Sequence, residues 1–580
     1  MLETLGPTAQ SSGAHERWRE LVTALRAALG WVEQPVVIRQ HAKGTLLAIA
    51  APVDALLTAT EVNEWAWEQA SGVFAVGAKT DADPPFDQLH FSGVLFSTVA
   101  AAFVARAAAE GNPALAALRI AARQHHVALL ADDENISIGE GAGSRTWPLS
   151  ALPAAASVPW HHLHDIPKIL VTGSNGKTTT VRLLAALIAA SEVKYRDRVG
   201  FSSTEGVVVG GVRVGEGDFS GPAGARLVLR DPRVQAAVLE TARGGILRRG
   251  LAVERADVAI VTNISADHFG EYGIDSLEDL ASVKLVAARA LGSEDTLVLN
   301  ADDPVLLKYA QTQECRIALF ARQESHDALV KLRAAGGATC GLDDGQLWLT
   351  QNGNRFCLGA IAELPLTLSG AAAYNIGNIA AAALAAAAVG VAPEIIAAEL
   401  KRFGSTRSDN PGRLNRWAVG GITVLIDYAH NPDGLAMLLA ASRSLLRDQH
   451  AEAGVEGRLG LLLGQAGNRS DQAIGELARV AAQSHPAFIV IKEIPGMLRG
   501  RALGDVPALL KAGLLAGGYS VACIETVADE VDAARRLLHW AKRGDVLVLP
   551  VHQAAARDTL AALLDEMENH RWQAGTALPA

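Results

Sequence analysis

Gly173, Gly176, Lys177 and Thr178 stand together in the stretch VTGSNGKTTT, residues 171–180. Glycines let a backbone turn sharply and approach a ligand closely. Lysine supplies a positive charge and threonine a hydroxyl, the groups that reach phosphate oxygens and a Mg2+ ion. The common phosphate loop, G-x-x-x-x-G-K-[ST], would place a glycine at position 171. Val171 occupies it, and the nearest glycine is Gly173. The motif is therefore a shortened G-x-x-G-K-T. Asn175 in the turn and Thr179 at the helix start join them as candidate cofactor-binding residues.

Such a motif works only at the junction of a strand and a helix. The apolar run KILVTG ahead of it reads as a strand, and KTTTVRLLAALIAA after it as an amphipathic helix. Free backbone N–H groups at the helix start, helped by the helix dipole, favour phosphate oxygens. Mg2+ needs further ligands, and in a doubly wound sheet these come from neighbouring strand ends. AAVLETARGG carries Glu240 at one such end, and AIVTNISADHFG places Asn263, Asp267 and His268 just past another.

Further buried-strand runs follow: VQAAVLE (234–240), ADVAIVTNI (256–264) and DTLVLNA (295–301), with helical segments between them. This alternation predicts parallel strands with helices on both faces. A second series begins after SDNPGR (408–413): ITVLIDYA, RLGLLLG, AFIVIKE, YSVACIE and DVLVLPV. Residues 1–160 mix a helical stretch, ERWRELVTALRAAL, with strand-like PVVIRQ and GTLLAIAA and hold no chemical motif. SVPWHHLHDIP (157–167) reads as a linker, with His161, His162 and His164 an exposed cluster rather than a metal site. The expected fold class is α/β, with an α+β N-terminal domain (1–160), a phosphate-loop doubly wound central domain (161–409) and a smaller Rossmann-like C-terminal domain (410–580).

The 580 residues exceed what one core holds, and 49% of them are apolar and 20% charged, an ordinary globular balance. A net charge of −10 argues against a general nucleic-acid binder. Cys315, Cys340, Cys357 and Cys523 are scattered without C-x-x-C spacing, which predicts buried free thiols in a reducing compartment. SGVLFSTVAAAFVA (92–105) and IAAAALAAAAVGVA (379–392) are short for membrane spans and read as packed helices. The opening MLETLGPTAQSSGAHERW lacks a cationic start followed by an apolar run, so the expected location is the cytoplasm, with no membrane association.

Taken in order, VTGSNGKTTT, LETARGGILRRGL, VTNISADHFG with Lys284 sixteen residues after His268, LNADDP, YNIGNIAAAALAA, NPGR and IDYAHNPDG resemble the Mur ligase and folylpolyglutamate synthetase superfamily. GDFSGPAGARLVLRDPRVQAAVLETARGGILRRGL, DENISIGEGAGSRTWPL and LRGRALGD are most similar to the C-terminal ligase module of cyanophycin synthetases. The likeness spans roughly residues 130–570, and the shortened loop is that superfamily's own form.

The resemblance implies an ATP-dependent amide ligase. A substrate carboxylate takes the γ-phosphate of ATP to give an acyl phosphate, an amino-acid amine displaces the phosphate, and ADP and phosphate leave. It implies catalytic roles for Lys177, Glu240, His268 and Lys284. Thr178 and Glu240 would hold one Mg2+ and His268 a second, and Lys284 matches a position that is carbamylated in many members. Asn375 and Asn378 lie where relatives contact adenine. Arg413, Asp427 and His430 lie where the C-terminal domain closes over ribose and phosphates. Arg499 and Arg501 are candidate contacts for an incoming carboxylate. Substrates would be a small or peptide acid and an amino acid, with arginine the amine the likeness favours. Oligomeric state stays open, since relatives include monomers and oligomers.

The first 160 residues are too few for an ATP-grasp module plus the extra domain of full cyanophycin synthetases and show no second glycine-rich phosphate loop. The expectation is therefore that this chain does not build cyanophycin alone. Signals for uridine-nucleotide binding are also not evident there, which makes a peptidoglycan role less expected. Two other readings fit the loop: an ATPase or kinase acting on another acceptor, or a non-catalytic nucleotide-binding scaffold. Retention of Lys177, Glu240, His268 and Lys284 counts against the scaffold.

Overall fold

The computed structural model describes residues 1–31, 36–41, 44–72, 96–266, 269, 272–454 and 456–579. It divides into two compact units, one formed by Met1–Ile166, Arg230–Pro232 and His268–Leu280, the other by Pro167–Leu229, Arg233–Asp267 and Ala281–Ala580.

In the first unit, β1 (Leu2–Leu5), β2 (Val36–His41) and β3 (Gly44–Ile49) form an antiparallel sheet of order β1-β3-β2. Its core joins β3 to α1 (Ser12–Ala28) and α2 (Leu56–Ser71) around Trp18, Leu47 and Trp67. Trp18 is fully buried, so its indole N–H needs an acceptor. It donates to Asn63 Oδ1 at 2.9 Å, and Asn63 Nδ2 donates in turn to Leu47 O. α3 (Phe96–Glu110) and α4 (Pro113–Gln124) follow, and residues 92–95 of the expected 92–105 helix lie outside the described residues. A second antiparallel sheet holds β4 (Leu129–Ala131), β5 (Asn135–Ile138) and β6 (Arg145–Pro148). Arg230 belongs to this unit despite its distance in sequence. Its guanidinium pairs with Asp132 and donates to Leu130 O and Asn135 O. His161, His162 and His164 are exposed.

The second unit holds two sheets. The larger is built from β7 (Lys168–Thr172), β8 (Val199–Ser203), β9 (Gly206–Val209), β10 (Val212–Gly215), β11 (Ala236–Glu240), β12 (Val258–Val261), β13 (Thr296–Asn300), β14 (Arg316–Gln323), β15 (Ala338–Asp343), β16 (Gln346–Gln351) and β17 (Asn354–Ala360). Its order is β10-β9-β8-β11-β7-β12-β13-β14-β15-β16-β17. The strands from β8 to β15 in that order run parallel, and antiparallel hairpins extend both edges. β7 pairs with both β11 and β12, so the chain crosses over β7 in passing from one to the other. The loop after β7 therefore sits at a topological switch point, where open parallel sheets bind ligands.

The helices of this part are α5 (Lys177–Ser191), α6 (Pro222–Leu229), α7 (Arg243–Arg249), α8 (Leu277–Lys284), α9 (Pro304–Ala310), α10 (Asp327–Ala334), α11 (Tyr374–Ala388) and α12 (Pro393–Arg402). α5 and α11 pack in one core with Leu183, Leu184, Leu187 and Ile188 against Ile379 and the buried alanines 380–383. Alanine is the best helix former and lets neighbouring helices approach closely. This packing fixes the direction of α5 and hence of the loop that opens it.

The smaller sheet contains β18 (Asn415–Val419), β19 (Ile422–Asp427), β20 (Leu459–Leu463), β21 (Phe488–Lys492), β22 (Ile524–Val527) and β23 (Val546–Pro550), in the order β18-β19-β23-β20-β21-β22. All pairings except β18 with β19 are parallel. Around it lie α13 (Pro432–Ala453), α14 (Asp471–Gln483), α15 (Asp505–Ala516), α16 (Glu530–Trp540) and α17 (Ala554–Asn569).

Two expectations need correction. YSVACIE is not a strand throughout: Val521–Cys523 forms a short 3-10 turn, with Ser520 capping it through Ala522 N, and the strand begins at Ile524. The side-chain cap offers the backbone a local alternative to the sheet. The cysteines are free, but only Cys340 is buried; Cys357 is exposed on a sheet-edge strand. Burial pushes the Cys340 thiol far up. Among the described residues no helix is long and apolar enough to cross a membrane.

Candidate active site

The loop after β7 is built by glycine. Gly173 has φ +144 and Gly176 φ +85. A Cβ on Gly173 would stand 1.9 Å from Thr262 Oγ1, and one on Gly176 would stand 2.0 Å from Asn378 Oδ1. Neither position accepts a side chain, on grounds of both angle and space. Gly176→Ala should destabilise the fold by about 1–3 kcal/mol and weaken Mg·ADP binding by about tenfold or more, read by thermal melting and calorimetric titration.

The next strand end braces the loop. Asn263 Oδ1 accepts from Asn175 N at 2.9 Å, while Asn263 Nδ2 and Thr262 Oγ1 donate to Asn175 O. Ser174 Oγ accepts from Ser265 N and donates to Ser265 O. Asn263 is thus a loop clamp. Asp267 and His268, the other candidates on this segment, lie outside the described residues.

β11 delivers Glu240, only 2% exposed, to the helix start. Thr178 Oγ1 donates to Glu240 Oε2 at 2.8 Å, and Thr204 Oγ1 donates to Oε1 at 2.7 Å. A buried carboxylate must be paired or hydrogen-bonded, and these hydroxyls do that.

Lys177 Nζ folds back to donate to Gly173 O and Ser174 O, at 3.0 Å each. Lys284, at the end of α8 and 3% exposed, donates to the same Gly173 O at 2.8 Å. Two ammonium groups therefore converge on one carbonyl, Gly173 O.

Residues from the loops that flank β18 and β19 meet this loop. Arg413 Nη2 donates to Thr178 Oγ1 at 3.4 Å, Asn410 Nδ2 to Thr179 Oγ1 at 3.3 Å and Asn431 Nδ2 to Asn175 Oδ1 at 2.9 Å. Asp427 is turned to its own backbone: its two oxygens accept Leu414 N and Ala429 N. Burial raises its carboxyl above the usual range, opposed by Arg413 and those N–H groups. Asn375 is likewise committed, donating to Leu366 O and accepting from Asn378 Nδ2. The His430 carbonyl accepts from Gln465 Nε2, and its ring lies 5.4 Å from that of Tyr428.

These groups fit a magnesium-bound nucleotide. The backbone approach is open only to glycine, and Thr178 and Glu240 are oxygen donors suited to a hard cation. Arg413 Nε, Asn410 Oδ1, Thr172 Oγ1 and Thr180 Oγ1 are buried without a hydrogen-bond partner, and all lie on the loop's elements or on the segment facing it.

The profile described as Mur ligase middle domain matches residues 171–386, and that described as Mur ligase, glutamate ligase domain, matches residues 412–550. The UDP-N-acetylmuramoyl-L-alanyl-D-glutamate--2,6-diaminopimelate ligase of Xanthomonas campestris pv. campestris is 30% identical over 414 residues, covering 69% of this chain and 75% of that protein. The chain belongs to the Mur ligase family. This Mur ligase is also 35% identical over 394 residues to the cyanophycin synthetase of Geminocystis herdmanii, covering 67% of the chain and 43% of the relative. It thus spans less than half the length of that cyanophycin synthetase. Among solved structures, E. coli FolC in complex with DHPP and ADP is 19% identical with a TM-score of 0.48, covering 69% of this chain and 89% of that one.

Several residues of this Mur ligase at the site escaped sequence reasoning. Glu205 accepts from Arg413 at 3.2 Å and from Arg557 of α17, and both guanidiniums lie over the Tyr428 ring, 4.4 and 5.4 Å from its centroid. No motif marks Glu205 or Arg557; the only local signal is that Thr204–Glu205 is a turn between two strands. Arg499 is exposed. Arg501 holds its own loop, donating to Gly467 O and Arg469 O and pairing with Asp471.

Next to Tyr428 the family member buries Lys492, Glu530 and His552 together. Lys492 pairs with Glu530, and burial pushes its pKa down to about 8 against the pull of that carboxylate. Lys492 Nζ lies 3.1 Å from His552 Nδ1, and His552 Nε2 lies 3.2 Å from Ala429 O. The ring must therefore be neutral, accepting at Nδ1 and donating at Nε2. Desolvation, then Lys492 and His430, hold its pKa well below the ordinary 6.5. The unfolded chain takes up this proton near pH 6.5 and the folded chain does not. The stability contribution is intact above that pH and declines as pH falls below it, by up to about 1.4 kcal/mol per pH unit. Between pH 7.5 and 5.5, His552→Gln should lose less melting temperature than the parent, by about 1–2 °C.

Proposed function

We propose that the protein is an ATP-dependent acid–amine ligase. The observation that carries this reading is the joint geometry of Lys177, Thr178 and Glu240 at a switch-point glycine loop, with Arg413 facing it from the smaller sheet. The carboxylate of a small or peptide acid attacks the γ-phosphorus, ADP leaves, and an acyl phosphate results. An amino-acid amine then attacks the acyl carbon, loses a proton and expels phosphate. Arginine is the first amine to test, given the resemblance to cyanophycin synthetases.

Thr178 and Glu240 would hold Mg2+, which when bound neutralises phosphate charge. His268 is assigned to a second ion. Lys177 exchanges its loop carbonyls for phosphate oxygens and stabilises charge moving to the leaving group. Lys284, as a carbamate, would become anionic and relieve its repulsion with Lys177. Asn375 and Asn378 are assigned to the adenine end, and Arg413, Asp427 and His430 to ribose and phosphates. Residues 161–409 and 410–580 act as the nucleotide and closing domains, and residues 1–160 as a separate one, in a cytoplasmic protein.

The test is a screen of acid and amine pairs with ATP, read by mass spectrometry. ADP and phosphate should form only when both partners are present, with a product lighter by one water than their sum. Turnover that needs no amine would favour the kinase or ATPase alternative.

A further inference from the structure

Two guanidiniums from distant parts of the chain converge on one carboxylate beside the phosphate loop. Glu205 sits in the two-residue turn between β8 and β9, Arg413 just before β18 and Arg557 in α17. Both arginines pair with Glu205, one to each carboxylate oxygen, and all three side chains are largely buried. Tyr428 backs both guanidiniums with its ring face, which favours cations without consuming their N–H donors. Arg413 already reaches Thr178 Oγ1, and its Nε is buried with no acceptor. Arg182 on α5, also buried with an unpartnered Nε, adds positive potential from beneath. Arg557 Nη1 is held by Val551 O and His552 O, so the donor left over beside Glu205 is Arg413 Nε, at the place where the loop would present phosphate.

We propose that Arg413 and Arg557 form a two-guanidinium subsite for the nucleotide's phosphate oxygens, and that Glu205 is an internal anion occupying it until the nucleotide displaces it. The inference rests on the loop's binding a nucleotide, as proposed above, and adds Arg557 and Glu205 to it. A guanidinium pair left without an anion in a poorly solvated place is unfavourable. Glu205 removes that cost in the free protein and, for the same reason, competes with the incoming phosphate.

This competition predicts an unusual sign. Removing a carboxylate that served as a metal ligand or structural tie would weaken nucleotide binding; removing a competitor tightens it. In the full chain, Glu205→Gln should bind Mg·AMPPNP about three- to tenfold more tightly than the parent, with adenosine affinity unchanged. Arg557→Gln should weaken Mg·AMPPNP by about tenfold in both the parent and the Glu205→Gln background. Calorimetric titration of each variant, with circular dichroism to confirm folding, reads the outcome. Unchanged or weaker Mg·AMPPNP binding by Glu205→Gln overturns the proposal, as does an Arg557→Gln variant of parental affinity. An adenosine shift matching the Mg·AMPPNP shift also overturns it, since the effect would not lie at the phosphates. Lys177→Ala in parallel separates the two claims. If that variant alone binds Mg·AMPPNP like the parent, it is the nucleotide reading of the loop that fails.

Discussion

Lys177→Ala should lower turnover of the acid–amine pair by about a thousandfold or more, since the proposed reaction gives Lys177 the charge on the transferring phosphoryl and the neighbouring cations are tied to other partners. The fold should survive. Lys177 is only half-buried, and its ammonium bonds only to carbonyls of its own loop. Losing such bonds costs about 1 kcal/mol or less, so the melting temperature should move by a few degrees at most. Measured together, turnover and melting separate a charge lost from the reaction from a loop lost from the fold. Parental turnover in a folded Lys177→Ala protein would remove the basis of the ligase assignment.

Lys284→Ala should be less damaging, and for a different reason. Its ammonium is buried and donates to Gly173 O at 2.8 Å, so truncation leaves a cavity beneath the loop. A loss of about a hundredfold in turnover is expected. The side chain carries either a carbamate or a bare ammonium when the enzyme works, and small molecules that fit the cavity tell them apart. Formate or acetate should restore part of the activity if the working group is anionic. Rescue by methylamine and not by carboxylates would assign the role to the ammonium and refute the carbamate.

Much of the scaffold was legible because it is local. β7, β11, β12 and β13 are short apolar runs flanked by helical segments, and a parallel sheet follows from that alternation. The meeting of Thr178 with Glu240 was also accessible, because both stand at carboxyl ends of strands in such a sheet. What escaped lies in contacts without period or motif. Glu205 and Arg557 are 352 residues apart, and nothing in either neighbourhood announces the other. Asp427 and Asn375 carry backbone contacts that the resemblance did not announce: Asp427 accepts from Leu414 N and Ala429 N, and Asn375 donates to Leu366 O. A polar side chain next to unpaired backbone groups satisfies those first. The strand expected through YSVACIE gave way for that reason, displaced by the Ser520 cap.

The two-residue turn at Thr204–Glu205 has a further consequence. Thr204 attaches to Glu240 on the larger sheet, and its neighbour Glu205 grips arginines carried by the smaller one. Hairpin tips are ordinarily where homologous chains drift in length and where engineers insert tags. This tip has no such freedom. One added residue would rotate one attachment away while the other stayed, since the hairpin's register depends on loop length. Length at this position should therefore be invariant among chains that share both arginines, even where the β9–β10 tip at the other end of β9 varies.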